Sequence, residues 1–264
     1  MSKLLDLLQR ISDGSPAPLG FGASRAESVP GMVLVGRAGR PGTGRRPSGV
    51  PDAASSLDAV IVDGASGSDY IKQLGALMSE LPWGPYLNSP SDEDAQASRD
   101  CGADVLAFSL ESGVAAISGE DDLARLVSVT GDLSDRELRA VSALPVDGFI
   151  LDMTGVSGEW TLQDLVSVGS MTRRTDKHVL VQVSAAPAKS DLEALRDMGA
   201  GGLIIEVTTG NSAELAALKA DLLGMARPRP RRRDRIRATV PGSGFTPSRP
   251  PDHDDDGDDD DYDE

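Results

Sequence analysis

The sequence of 264 residues is poor in cysteine, histidine and aromatic residues, and each shortage excludes a class of structure or chemistry. The single cysteine, Cys101, excludes a disulfide framework and favours a reducing compartment. With only two histidines, we expect neither histidine acid–base catalysis nor a histidine-based zinc site. Aromatic residues make up 3%, so Val, Leu, Ile and Ala must fill the core.

The chain also lacks long apolar runs. None approaches the ~18 residues of a membrane-spanning helix, and no signal peptide is recognisable. We therefore expect a cytoplasmic protein that does not bind membranes. The formal net charge is −16, but residues 251–264 hold nine Asp and one Glu and contribute −10. The remaining −6 is modest for a globular domain and gives no reason to expect nucleic-acid binding.

The composition changes abruptly near residue 227 and divides the chain into two parts. Residues 1–226 predict one compact domain. Residues 227–264 predict a disordered tail with an Arg-rich segment at 227–237 and an Asp-rich segment at 252–264. The arginines could bind RNA, but the acidic segment would compete with RNA for them. A solubilising or interaction tail is therefore the preferred interpretation. Nothing in the sequence specifies an oligomeric state.

Four short segments share one pattern at intervals of roughly 45 residues: 58–63, 104–109, 147–152 and 201–206. Each has a short apolar core between turn residues, which is typical of a buried strand. Further apolar runs alternate with these segments and with helices, which predicts a (β/α)8 TIM barrel of the α/β class. The predicted strands are 32–36, 59–63, 83–87, 105–110, 126–130, 148–152, 179–184 and 203–207.

The predicted helices complete this alternation. The first, residues 2–12, is expected to close the bottom of the barrel with an apolar face formed by Leu4, Leu5, Leu8 and Ile11. Ser134 and Ser190 each precede a glutamate by three residues, which is the pattern of a capping box. Pro82 and Pro85 disfavour the third strand. Residues 114–118 are a candidate for an extra short strand. The other predicted helices are 69–79, 92–101, 134–143, 161–173, 190–198 and 212–224.

Three of the four repeated segments end in a carboxylate, and the fourth ends at Ser109. Side chains alternate along a strand, so a register that points these ends inward also points inward Ile61, Ala107, Ile150 and Ile204. The opposite register would bury large residues such as Phe108 and Phe149 inside the barrel, where they fit less well. TIM barrels place their chemistry at the C-terminal ends of the strands. The register therefore predicts a site at this end.

The predicted catalytic residues are Asp63, Asp152 and Glu206, acting as general acid–base groups or as ligands of a divalent metal, with Arg37 as orienter or charge stabiliser. Oxygen ligands of this kind favour Mg²⁺ or Mn²⁺. A small polar metabolite is the expected partner, bound by Ser109, Glu111, Gln182, Lys189 and Thr208. The structural alternative is that polar residues at strand ends only cap helices or bind loop backbone.

The loop after the first strand, residues 36–49, contains five glycines and four arginines: Arg37, Arg40, Arg45 and Arg46. It either closes over an anionic substrate or forms a flexible, solvated insertion, and its glycine content favours the second interpretation. The loop lacks the spacing of a P-loop.

Residues 179–207, VLVQVSAAPAKSDLEALRDMGAGGLIIEV, resemble the seventh strand, seventh helix and eighth strand of aldolase-type, phosphate-binding TIM barrels. The tryptophan-biosynthesis barrels and the thiamine-phosphate synthases are examples. The resemblance is architectural, covers about residues 30–225, and implies lyase or isomerase chemistry on a small metabolite.

Two departures from this group are important. Such barrels usually hold phosphate in glycine-rich turns after strands seven and eight, and here these turns read SAAPAKS and EVTTGN. An anion could still contact Ser184, Lys189 and Thr208, but Glu206 would repel it, and the usual catalytic lysines are missing. The chain is therefore either a diverged enzyme or an inactive barrel that serves as a scaffold or interaction protein.

Overall fold

The computed structural model describes residues 2–13, 30–42, 45–78, 81–117, 123–131, 133–156 and 158–225, and the predicted tail lies outside them. The strands are β1 (Val33–Ala38), β2 (Ala59–Asp63), β3 (Trp83–Leu87), β4 (Val105–Ser109), β5 (Ala124–Thr130), β6 (Gly148–Asp152), β7 (His178–Val183) and β8 (Gly202–Glu206). The α-helices in the described ranges are α1 (Lys3–Asp13), α2 (Val50–Ala53), α3 (Ser68–Leu77), α4 (Asp92–Asp100), α5 (Asp135–Ser142), α6 (Leu162–Arg174), α7 (Lys189–Met198) and α8 (Ser212–Gly224). No helix among these residues is long and apolar enough to cross a membrane.

The strands form a closed barrel in chain order, and every neighbouring pair is parallel. β8 returns to β1, where Glu206 is the register partner of Arg37. The described chain is thus a TIM barrel, and all eight predicted strands are confirmed, including the third with its prolines.

The inward-facing side chains form an apolar core that is separate from the layer between strands and helices. The inner core contains the residues that the sequence register predicts: Ala59, Ile61, Val105, Ala107, Ile150 and Ile204. Phe108 and Phe149 pack in the outer layer. The predicted register is therefore confirmed, and the residues that end β2, β4, β6 and β8 lie at the C-terminal end of the barrel, which we call the mouth.

Helix α1 closes the opposite end, the bottom of the barrel. Leu4, Leu8 and Ile11 belong to the same buried core as the inner residues of the strands. Leu8 packs closely against Gly201 just before β8, where a Cβ atom would lie 3.1 Å from Leu8 Cδ2. The predicted bottom-closing helix is confirmed.

The aspartates that open the repeated segments hold the bottom of the barrel together. Asp104 accepts hydrogen bonds from the backbone amides of Lys3 (2.7 Å) and Leu4 (2.9 Å) and so caps the N-terminus of α1. Asp58 accepts one from the Leu34 amide at 2.8 Å, and Asp147 accepts one from the backbone amide of residue 125 at 2.8 Å. Each of these last two ties its own segment to the preceding strand.

Two local predictions were wrong. Residues Val114–Ile117 form a 3₁₀ helix rather than the extra strand. A second 3₁₀ helix, Ala54–Ser56, precedes β2. The capping box at Ser134 is confirmed, but Ser190 is not a cap, because α7 begins at Lys189 after an extended Ala188. Ser190 therefore already lies in the first turn of the helix.

Candidate active site

Arg37 occupies the mouth of the barrel and joins four strands there. It lies on β1, and its Nε donates to both carboxylate oxygens of Asp63 on β2, at 2.9 and 3.0 Å. Its Nη1 donates to Gln182 Oε1 on β7 at 2.5 Å. Its guanidinium carbon lies 4.5 Å from the centroid of the Tyr86 ring on β3. These contacts fix the orientation of the guanidinium group, which is what an orienting or charge-stabilising residue requires.

A cavity of about 410 Å³ opens beside this ion pair. That volume lies in the range of small-molecule sites. The loops after β2 and β3 form its other walls, so the cavity lies on one side of the mouth rather than on the barrel axis. Its lining residues are Arg37, Asp63, Gly64, Ser66, Tyr86, Leu87, Asn88 and Ser89.

Buried Asp94, on α4, fixes these two loops against each other. Its carboxylate accepts a hydrogen bond of 2.9 Å from the backbone amide of Gly67, in the loop after β2. It accepts another, of 3.2 Å, from the backbone amide of Ser91, in the loop after β3. Ser91 and Asp94 also form a capping box that starts α4. The cavity walls are therefore preorganised.

The three strand-end carboxylates do not form the cluster that the sequence predicts. Asp63 is paired with Arg37 and lines the cavity. Asp152 turns to its own loop and accepts the Thr154 amide at 3.0 Å and its hydroxyl at 2.7 Å. Glu206 is exposed.

The metal site at Asp63, Asp152 and Glu206 stays a prediction, and this structure does not bring its three carboxylates together. Within the described ranges, no three His, Cys, Asp or Glu side chains lie close enough together to hold a metal ion. The arginine beside Asp63 supplies the positive charge that a metal ion would otherwise bring.

The predicted substrate-binding residues lie around the mouth in different settings. Gln182 is half-buried and fixes Arg37. A hydrogen bond from the Ser109 hydroxyl lowers the pKa of exposed Glu111. Lys189, the first residue of α7, is exposed. Exposed Thr208 donates its amide to the Asn211 side chain at 3.0 Å. None of these residues except Gln182 contacts the Arg37–Asp63 pair.

In the described part of the first loop, Arg40 and Pro41 contact Tyr70 on α3. The Arg40 guanidinium carbon lies 4.7 Å from the centroid of the Tyr70 ring on α3. The Tyr70 hydroxyl donates to the Pro41 carbonyl at 2.7 Å. At its other end, Gly49 has a φ of 76°, and a Cβ atom there would lie 2.4 Å from the Thr208 carbonyl oxygen. Arg45 and Arg46 are exposed.

The sequence interpretation missed the third strand and its loop as a source of site residues. Tyr86, Asn88 and Ser89 all come from this segment. Alternation along β3 was the available signal, because Tyr86 is the register partner of Asp63 and so faces the same side. The Ser91-x-x-Asp94 pattern was likewise an available signal, which the sequence interpretation did not use, for the capping box that supports the cavity.

Comparison with known proteins identifies a fold and no family. No protein-family model matches the sequence, and no curated protein is significantly similar to it. Solved structures do match. A chain of tryptophan synthase from M. tuberculosis superposes with a TM-score of 0.56 and 13% identity, over 86% of this chain and 99% of that one.

Two further structures are similar. 3-keto-L-gulonate-6-phosphate decarboxylase from Vibrio cholerae has a TM-score of 0.55 and 14% identity, over 76% of this chain and all of that one (100%). FabK from Thermotoga maritima has a TM-score of 0.51 and 15% identity over 78% of this chain, which spans 61% of the FabK chain. At these identities the likeness concerns the fold alone: this chain has the TIM-barrel architecture.

Proposed function

We propose that this barrel is an enzyme that acts on a small polar metabolite by acid–base chemistry of the lyase or isomerase class. The observation that carries the proposal is the Arg37–Asp63 pair beside the cavity. The two side chains are 23% and 37% exposed, so each is both held in place and accessible to a ligand. The enzymes that share the architecture support the proposal by analogy.

The pair divides the chemistry between its two members. Asp63 takes a proton from a substrate carbon next to a carbonyl group, and the electron pair of the C–H bond moves onto the carbonyl oxygen. Arg37 N–H groups stabilise the resulting enolate oxygen. For isomerisation, the carbon that lost the proton must carry a hydroxyl group, and the proton of that hydroxyl passes to the enolate oxygen. The hydroxyl oxygen then becomes the new carbonyl as Asp63 returns its proton to the former carbonyl carbon, which gives an isomer. In a lyase, Asp63 takes a hydroxyl proton instead, the C–C bond breaks, and the departing enolate recovers the proton.

The test compares Asp63→Asn with Asp152→Asn, a matched control that neutralises another strand-end carboxylate at the same mouth. Thermal unfolding of the full chain is measured with pools of small metabolites of mixed chemistry. At a ligand concentration a hundredfold above Kd, the wild type and Asp152→Asn should unfold about 5–10 °C higher. Asp63→Asn should lose this shift.

Each stabilising compound is then incubated with the protein in D2O and followed by NMR. The wild type and Asp152→Asn should exchange substrate protons or convert the compound, and Asp63→Asn should be slower by about 10²–10⁴-fold. If no compound binds and Asp63→Asn only lowers the stability, the pair is structural. The barrel is then the scaffold or interaction protein of the alternative interpretation.

A further inference from the structure

We infer that the cavity takes an uncharged, polyhydroxylated carbonyl compound, such as a free sugar, rather than a phosphate ester. This inference rests on the proposed function, because it names the substrate class of the same cavity. Three observations support it: the charge balance of the lining, the occupation of the nearby helix N-termini, and the hydrogen-bonding groups that face the cavity.

The charged lining residues of the cavity cancel each other. Arg37 and Asp63 are its charged members, and they form a direct ion pair. Arg40 is not a lining residue; its side chain lies beside Gly64, and its guanidinium group stacks on Tyr70. A dianionic phosphate beside Arg37 would also lie beside the Asp63 carboxylate, so its attraction to one is opposed by its repulsion from the other.

At each of the two helix N-termini beside the cavity, a carboxylate already takes one backbone amide and acidic side chains occupy the first turn. Helix N-termini bind anions through amides that lack partners. Here the Asp94 carboxylate takes the Gly67 amide at the start of α3 and the Ser91 amide before α4. The first turns also carry exposed acidic side chains: Asp69 in α3, and Asp92 and Glu93 in α4.

A backbone amide is also taken in the loop after β8, where the barrels that this sequence resembles hold phosphate. The Thr208 amide binds the Asn211 side chain, whose own amide donates to the Glu206 carbonyl at 2.7 Å. The exposed Glu206 carboxylate adds negative charge at this loop.

A sugar, by contrast, matches the groups that line the cavity. Arg37 uses its Nε–H and one Nη1–H within the described structure, which leaves three of its five N–H groups. A ligand hydroxyl can accept from one of these and donate to Asp63 at the same time. Further side-chain groups that make no hydrogen bond within the described residues line the same cavity: the hydroxyls of Ser66, Tyr86 and Ser89 and the amide of Asn88.

The experiment measures binding of matched pairs to the full chain by calorimetry and ligand-observed NMR. The probes are free pentoses and hexoses, the phosphate ester of each, and inorganic phosphate. We expect at least one free sugar to bind tenfold or more tightly than its own ester, with an affinity unchanged between about 50 and 300 mM NaCl. Ser89→Ala and Asn88→Ala should each weaken this binding severalfold. Ser184→Ala, an exposed serine at the mouth outside the cavity lining, should not.

The contrary results separate the inference from the proposed function. An ester or inorganic phosphate that binds more tightly than the free sugar, and weakens with salt, overturns the substrate class. So does a panel in which no sugar binds. In either case the proposed function stands if a metabolite of another class still requires Asp63 for binding and conversion. If nothing binds through Asp63, both are wrong.

Discussion

Three ion pairs among the residues that the structure describes should differ in their contribution to stability, and their order tests the role of the mouth. Lys219 and Asp58 join α8 to the segment before β2 at 2.6 Å, and each side chain is 15% exposed. Arg37 and Asp63 join β1 to β2 at 2.9 Å, with 23% and 37% exposure. Burial strengthens a charged hydrogen bond, so the first pair should be the stronger.

The third pair is a built-in control. Arg196 and Asp197 are 2.8 Å apart but adjacent in sequence on α7, and Asp197 is 48% exposed. Neighbouring residues can also meet in the unfolded chain, so this pair should stabilise the fold least. We expect coupling energies of about 1.5–3 kcal/mol for Lys219–Asp58 and about 0.5–1.5 kcal/mol for Arg37–Asp63. For Arg196–Asp197 we expect about 0.5 kcal/mol or less.

Double-mutant cycles in urea unfolding of the full chain measure these energies. The substitutions are Asp→Asn with Lys→Met or Arg→Met, singly and together, so that effects on other partners of each residue cancel in the cycle. If the coupling of Arg37–Asp63 equalled or exceeded that of Lys219–Asp58, the mouth pair would be a principal stabilising contact. That result would refute the reasoning that places a functional pair there.

Three further predictions concern the scaffold. Leu8→Ala should lower the free energy of urea unfolding by about 2–5 kcal/mol, because Leu8 is fully buried in the bottom of the barrel; a loss below ~1 kcal/mol would contradict that packing. Gly84→Ala should abolish cooperative unfolding seen by circular dichroism, because its Cβ would lie 1.9 Å from the Val105 carbonyl oxygen; a stable variant would refute this close approach. Burial lowers the pKa of His178 below its ordinary value near 6.5, while Asp147 and Asp13 raise it to a lesser extent. The folded protein therefore resists protonation of His178. The contribution of neutral His178 to the free energy of unfolding is complete above the pKa that His178 has in the unfolded chain. It is lost as the pH falls below about 6.5, by at most ~1.4 kcal/mol per pH unit. In urea unfolding between pH 5 and 7, the free energy of unfolding of His178→Gln should depend less steeply on pH than that of the wild type. An unchanged slope would count against burial of His178 as the cause.

The barrel was predictable because its signal is repeated along the chain. Each strand has a short apolar core, and the inner positions alternate with larger outer ones, so one register satisfies β2, β4, β6 and β8 together. The bottom-closing role of α1 followed from one apolar face and from the small inner residues that it covers. Ser190 shows the limit of local patterns, because a capping motif that lies two residues after the actual N-cap looks the same in sequence as a real one.

The site was predictable only in part, for a physical reason. Sequence alternation fixes which strand ends point inward, and Asp63 and Gln182 were predicted in this way. Arg37 was predicted instead as a cation at the end of the first strand. Alternation does not fix which polar neighbour each end prefers. Asp152 finds its partner two residues away in Thr154, and this local bond removes it from the predicted cluster.

The position of the cavity follows from where Arg37 extends. From β1 its guanidinium reaches Asp63 on β2 and Gln182 on β7, and it covers one face of the Tyr86 ring. The space beside it is left between the loops after β2 and β3, and a single buried carboxylate, Asp94, holds these loops together. A site built this way has one accessible base, one fixed cation and hydroxyl-rich walls. Under the proposed function, acid–base chemistry uses the loops after β2 and β3. The loops after β7 and β8, which hold phosphate in the barrels that this sequence resembles, are then free to diverge.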